Sequence, residues 1–222
     1  HINPDGDAIG AMLALRRWII SRGKEARMIS PNALQKFLLW MNDVDQIVDF
    51  HHNTGEGTRL INEADLIIMV DFNTTSRMGK AEPLVTASAA KKVMIDHHPD
   101  PATFADIVIS DVSRSSTSEL VYFLVNGMEG SEFNDSEFIT AVYVGIITDT
   151  GNFEHGYYTG DTMRTVGHLL DMGVDKEKVY NHVFCNFSPD RIRLTGFSLH
   201  SRMVVHPELH TAYIWLTRED LE

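Results

Sequence analysis

Val93-Met94-Ile95-Asp96-His97-His98-Pro99 is the stretch from which the rest of the chain can be read. Three apolar residues stop abruptly at three polar ones and a proline. That is the pattern of a buried strand delivering Asp96, His97 and His98 to its C-terminal mouth, with a polar loop after a strand as the competing reading. Open parallel sheets bind ligands outside the carboxyl ends of their strands. Imidazole beside carboxylate at such a mouth is what a divalent-metal site requires. A histidine pair by itself says little. His51-His52, in Asp49-Phe50-His51-His52-Asn53-Thr54, precedes a Gly-rich loop and reads as solvated or partner-facing. The second pair stands out by its company.

Composition bounds the possibilities. The 222 residues suffice for a full core and for one or two domains. Hydrophobic residues at 43% and charged residues at 23% are ordinary for a globular chain. No apolar run approaches the roughly 20 residues of a membrane span. Cys185 is the single cysteine, so no disulfide can form within these residues, which fits a reducing cytoplasm. A net charge of −12 disfavours long duplex nucleic acid, whose phosphates such a surface repels, while leaving room for a small anionic substrate on a metal site.

Taken in order, the chain opens with His1, Asp5 and Asp7 in a tight turn containing Pro4 and Gly6. Helical spacing of Ile9, Met12, Leu13, Leu15, Ile19 and Ile20 follows, predicting a helix from Ala8 to Gly23 with Asp7 at or near its N-cap. Such a turn should be fed by a strand lying before His1. Ala26–Ser30 and Ile47-Val48 read as short strands, residues 32–40 as a helix, and residues 51–57 as a loop. Leu66-Ile67-Ile68-Met69-Val70 is a continuous apolar run expected of a central parallel strand, and it ends in Asp71. Residues 83–90 read as a helix before the strand that carries Asp96. Ser116 and Glu119 fit a capping box at the start of another helix, with a phosphate at that N-terminus as the sharper alternative. A helix over 138–147 leads to Asp149, a carboxylate at the helix end that the dipole disfavours. Helices over 161–172 and 175–184 follow, then one starting at Pro189. Two strand-like runs, Met203–Val205 and Thr211–Leu216, close the chain. Strand–helix alternation implies βαβ units, a mainly parallel sheet and helices on both faces.

Four segments thus end in metal-ligand residue types, and together they resemble the DHH phosphoesterase family. His1-x-x-Pro4-Asp5-x-Asp7-Ala8 is similar to its first motif, Asp71 after an apolar strand to its second, and Asp96-His97-His98 to the motif that names it. Ile147-Thr148-Asp149-Thr150-Gly151 is similar to the fourth. The likeness runs from His1 to about Phe153. Asp5-Gly6-Asp7-Ala8-Ile9-Gly10 and Ser116-Thr117-Ser118-Glu119 are most similar to the branch that degrades short oligoribonucleotides and dephosphorylates adenosine 3′,5′-bisphosphate.

The resemblance implies a catalytic domain over residues 1–187, and over 188–222 a linker helix with the beginning of a C-terminal substrate-binding domain. It implies two divalent ions, usually manganese, with His1, Asp5 and Asp71 on one and Asp7, Asp71, His97 and Asp149 on the other. Such a pair would activate a hydroxide for in-line attack on phosphorus. His98 would contact the phosphate or protonate the leaving oxygen, and Asp96 would orient a metal-bound imidazole. The implied partners are short RNA, a dinucleotide or a nucleotide bisphosphate, without a membrane; a homodimer is compatible. A pyrophosphatase or exopolyphosphatase with the same metal site is the alternative within the family, and a catalytically silent nucleotide-binding module the alternative outside enzymes.

Overall fold

Parallel pairing organises the first part of the computed structural model, which describes residues 1–221. This unit is His1–Val183, and a second begins at Phe184. In the first unit α1 (Gly6–Ser21) leads to β1 (Met28–Ser30), which pairs parallel with β2 (Ile47–Asp49). After α2 (Thr54–Glu63) come β3 (Leu66–Val70), α3 (Glu82–Ala87), β4 (Lys91–Asp96) and β5 (Ile107–Ser110). The last three strands form a parallel sheet with β4 in the middle. The run that reads as a central strand, β3, therefore borders β4. Four helices complete the unit: α4 (Thr117–Glu129), α5 (Ser136–Asp149), α6 (Gly160–Asp171) and α7 (Lys176–Tyr180).

The sheet is covered on both faces because its strands alternate two sets of apolar side chains. Met69 and Met94 pack with Phe50, Ile61, Met78 and Val85, from β2's exit, α2 and the α3 segment. Their register neighbours Val70 and Ile95, also paired with each other, are buried on the opposite side, where α4 packs on β4. α1 packs along α5. Gly10 lets the Ala141 carbonyl approach to where a Cβ would lie 2.5 Å from it. Gly145 lies where a Cβ would overlap the Ser118 side chain and come within 2.7 Å of an Asp7 carboxylate oxygen. Three helices thus meet around Asp7.

Two local expectations differ from the structure. Residues 32–40 hold only a 3-10 turn, Lys36–Leu38, because Leu38 alone is buried while Leu39 stays exposed; one anchor does not stabilise a helix. The supposed loop over 51–57 is already helical from Thr54. Gly57 marks a close approach to the Phe50 ring, 2.5 Å from where its Cβ would be. His51 and His52 are exposed, and Asp49 accepts both their backbone N–H groups. Asp7 lies near the N-cap of α1, in its first turn; the cap itself is Asp5, whose Oδ1 accepts the Ala8 N–H at 3.1 Å.

The second unit opens with α8 (Pro189–Phe197), whose N-cap Ser188 accepts the Arg191 N–H. It continues into the antiparallel hairpin of β6 (Met203–His206) and β7 (Thr211–Ile214), then α9 (Arg218–Leu221). Cys185 is exposed, and no helix among the described residues is long and apolar enough to cross a membrane.

Candidate metal centre

Four chain segments bring seven side chains together at the C-terminal ends of β3 and β4. His1 and Asp5 come from the turn before α1, Asp7 from its first turn, Asp71 from the exit of β3, His97 and His98 from the exit of β4, and Asp149 from the last residue of α5. They form three overlapping groups: His1, Asp5 and Asp71; Asp71, His97 and His98; and Asp7, His97 and Asp149. Within each, one potential ligand atom per residue lies within 4.8 Å of the others. A cleft elsewhere, about 130 Å³ and lined by Leu13, Trp40, Thr140 and Lys178, contains none of them.

Asp71 is held at the junction of two groups. Its backbone lies in the left-handed region, φ 63°, while its N–H still donates to the Ile95 carbonyl at 3.0 Å. That conformation costs an aspartate about 1 kcal/mol, and sheet pairing on one side with helix contacts on the other holds it. Its Oδ2 lies 3.2 Å from His1 Nε2, and its Oδ1 lies 3.8 Å from both His97 Nε2 and His98 Nδ1. Each carboxylate oxygen therefore faces a different group.

His1 and His97 are set by backbone carbonyls, which can only accept. His1 Nδ1 donates to the Ile2 carbonyl at 2.9 Å, and His97 Nδ1 to the Arg114 carbonyl at 3.3 Å. His97 Nε2 is then turned toward Asp149 Oδ2 at 3.4 Å, Asp71 Oδ1 at 3.8 Å and Asp7 Oδ2 at 3.9 Å, buried and without a hydrogen-bond partner. A neutral imidazole lone pair facing three carboxylates is unfavourable unless a cation stands among them. A ring whose other nitrogen donates to a carbonyl is the usual form of a metal-binding histidine. This donor set of carboxylates and imidazoles suits a divalent cation of the manganese or zinc kind better than magnesium.

Electrostatics follow from the crowding. Burial and the charges of Asp71 and Asp149 push Asp7 well above the usual carboxylate range, against the pull of its bonds to Ser118. Burial raises Asp149 to about 6; His97 opposes that rise and Asp71 adds to it. Burial would lower His1, yet its contacts with Asp5 and Asp71 outweigh that and raise it to about 10. Asp5 is lowered: burial acts to raise it, and the His1 contact and the Ala8 N–H prevail. Without cations, then, this site retains protons.

Asp96 is fully buried and reaches His98, not His97: its Oδ1 accepts from His98 Nδ1 at 2.8 Å, and its Oδ2 has no partner. The expected orienting carboxylate thus acts on the second histidine, while a main-chain carbonyl orients the first. Asp96 raises His98, foremost through this hydrogen bond. Of the two histidines facing Asp71 Oδ1, His98 is the more open, its side chain 43% exposed against 14% for His97. Ser116-Thr117-Ser118-Glu119 has the spacing of a capping box. Ser116 does accept the Glu119 N–H at 3.0 Å, but buried Glu119 bonds Ser115 N–H and not the cap residue. The two residues after Ser116 hold a candidate ligand: the Thr117 and Ser118 N–H groups donate to Asp7 at 2.6 and 2.8 Å.

Comparison with known proteins places these features in context. A family model described as the DHH family, N-terminal domain, matches residues 1–146. The chain is 25% identical to a bifunctional oligoribonuclease and PAP phosphatase of Bacillus subtilis, over 100% of its own length and 66% of the relative's. It is 29% identical to the protein of the same description from Thermus thermophilus, covering 78% of this chain and 49% of that one. Among solved structures, an exopolyphosphatase-related protein from Bacteroides fragilis superposes with a TM-score of 0.92 at 36% identity, covering 99% of this chain and 64% of the other. The chain spans about half to two thirds of the length of these relatives.

Proposed function

The chain belongs to the DHH family, and from that premise we propose that it is a phosphoesterase that uses two divalent ions, manganese by preference, to hydrolyse short oligoribonucleotides or adenosine 3′,5′-bisphosphate. The observation that carries this reading is the double membership of Asp71, in one group with His1 and Asp5 and in another with His97, one oxygen toward His1 and the other toward His97. His1, Asp5 and Asp71 would hold one ion, and Asp7, Asp71, His97 and Asp149 the other. Bound there, two divalent ions would neutralise phosphoryl charge and make water nucleophilic near neutral pH.

The protein groups have separable tasks. His1 and His97 enter as neutral ligands, each kept in one tautomer by a main-chain carbonyl. The N–H groups of Thr117 and Ser118 keep the Asp7 carboxylate aimed inward. His98, raised by Asp96 and half-exposed at the mouth, is the general acid: as the bond from phosphorus to the leaving oxygen breaks, its Nε2 proton passes to that oxygen. Asp96 balances the positive ring from the buried side and is a positioning residue.

Attack on inorganic polyphosphate is the second reading, favoured by the likeness to the exopolyphosphatase-related structure. Both readings use the same metal ligands and differ in what lies beyond the phosphate. Turnover with Mn²⁺ on a diribonucleotide, adenosine 3′,5′-bisphosphate, pyrophosphate and tripolyphosphate separates them. Hydrolysis of the first pair supports the nucleotide reading, and hydrolysis confined to the second pair replaces it. Stoichiometric Mn²⁺ uptake with no turnover on any of the four would make the chain a binding module.

A further inference from the structure

We propose that Thr117 is a positioning residue of the metal centre, locking the bridging carboxylate of Asp71 so that each of its oxygens serves a different ion. This rests on the two-ion reading above. The side chain of Thr117 is completely buried, and its hydroxyl donates to Asp71 Oδ1 at 3.0 Å. Its own N–H donates to Asp7 Oδ2 at 2.6 Å. One residue at the start of α4 therefore grips two carboxylates that come from elements 46 and 110 residues away in the chain. Ser118 completes the grip through its N–H on Asp7 Oδ1 and its hydroxyl on the Asp7 carbonyl at 3.2 Å.

The grip decides orientation. A carboxylate on a single Cβ can rotate, and a bridging one is useful only in the rotamer that points one oxygen each way. Asp71 Oδ2 has the His1 ring as its neighbour at 3.2 Å, but in the two-ion reading that ring would turn its Nε2 to the ion instead. The Thr117 hydroxyl makes no such exchange. It donates whether or not the site is loaded, leaves the second lone pair of Oδ1 free, and holds the plane of the carboxylate fixed. Its own position is anchored from behind, because Ser116 caps α4 and Glu119 ties down the Ser115 turn through both its N–H and its hydroxyl.

The test uses three substitutions and reads metal directly. Thr117→Val keeps the shape and removes the donor, Thr117→Ser keeps the donor and loses the methyl, and Thr117→Ala loses both. Mn²⁺ affinity and stoichiometry are measured by titration calorimetry on protein stripped of metal, beside kcat and KM. The expected result is a 10–100-fold weaker Mn²⁺ affinity in the Val and Ala variants, the usual loss for an outer partner of a ligand, with serine near the parent. Should Thr117→Val not fold, the contrast of serine with alanine carries the same meaning. Valine near the parent while serine and alanine weaken binding would reduce Thr117 to packing and overturn the proposal. Parent protein that takes up no Mn²⁺ would instead overturn the two-ion reading, and this role with it.

Discussion

Stripping the site of divalent cations should lower stability more at pH 7 than at pH 5, and the signs follow from the crowded carboxylates. Asp5, Asp7, Asp71 and Asp149 present four negative charges when ionised, which two divalent ions would balance with His1 and His97 as neutral ligands. Binding to the folded site alone stabilises by about 2.7 kcal/mol at a hundredfold excess of metal over Kd. For a chain of this size that is a rise in Tm of about 5–10 °C at neutral pH. Protons compete for the same atoms. Asp149, raised to about 6, is ionised and able to ligate at pH 7 but mostly protonated at pH 5; His1, raised to about 10, must release a proton for its Nε2 to bind. The increment from Mn²⁺ should therefore shrink between pH 7 and pH 5.

The metal-free protein should behave in the reverse sense. A carboxyl group whose folded pKa is raised favours the protonated folded state. The contribution of Asp149 is fully present below its ordinary value of 3.8 and is lost as pH rises toward about 6. Raised His1 acts in the same direction: its contribution is present below 6.5 and is lost as pH rises through about 10. Both groups thus make the metal-free fold gain stability as pH falls from 8 toward 5. The assay is thermal unfolding of protein verified as metal-free, with and without added Mn²⁺, at pH 7 and pH 5. An unchanged Tm on adding Mn²⁺ at pH 7, or equal increments at both pH values, would refute the reasoning.

Three further outcomes can be checked. Asp71→Ala should abolish turnover at saturating Mn²⁺, whereas His98→Ala should lower kcat by roughly 10²–10⁴-fold, because only the first loss touches both ions; equal, mild losses would reject this order. Asp96→Asn removes the charge that raises His98, so the alkaline limb of the kcat–pH profile should move to lower pH, and an unmoved limb would deny His98 the role of acid. Gly145→Ala places a Cβ against Ser118 and 2.7 Å from Asp7 Oδ1, which should cost about 1–3 kcal/mol in urea unfolding and weaken Mn²⁺ uptake.

Much of this architecture is local and therefore written in neighbouring residues. Leu66–Val70 and Lys91–Asp96 are strands because their apolar runs are short, uninterrupted and cut off by polar residues. α5 is helical because its apolar and small residues extend for fourteen positions behind the Asp135 cap. The parallel α/β class and the delivery of Asp71, His97 and His98 to one edge of the sheet follow from that order. Partner choice does not. Whether Asp96 meets His97 or His98 depends on side-chain direction at the end of β4. The Arg114 carbonyl that orients His97 belongs to a loop whose sequence carries no sign of it. The same limit applies to residues 32–40, where helical spacing lacked a surface to bury against, and to Gly57, whose meaning lies in the Phe50 ring. Thr117 looked like the first residue of a capped helix, and so it is; that its hydroxyl and N–H close on Asp71 and Asp7 was decided only when α1, α4 and α5 packed together. Periodicity and capping act over a few residues, whereas a hydrogen bond across 110 residues exists only once the docking of separate elements has set its ends within 3 Å.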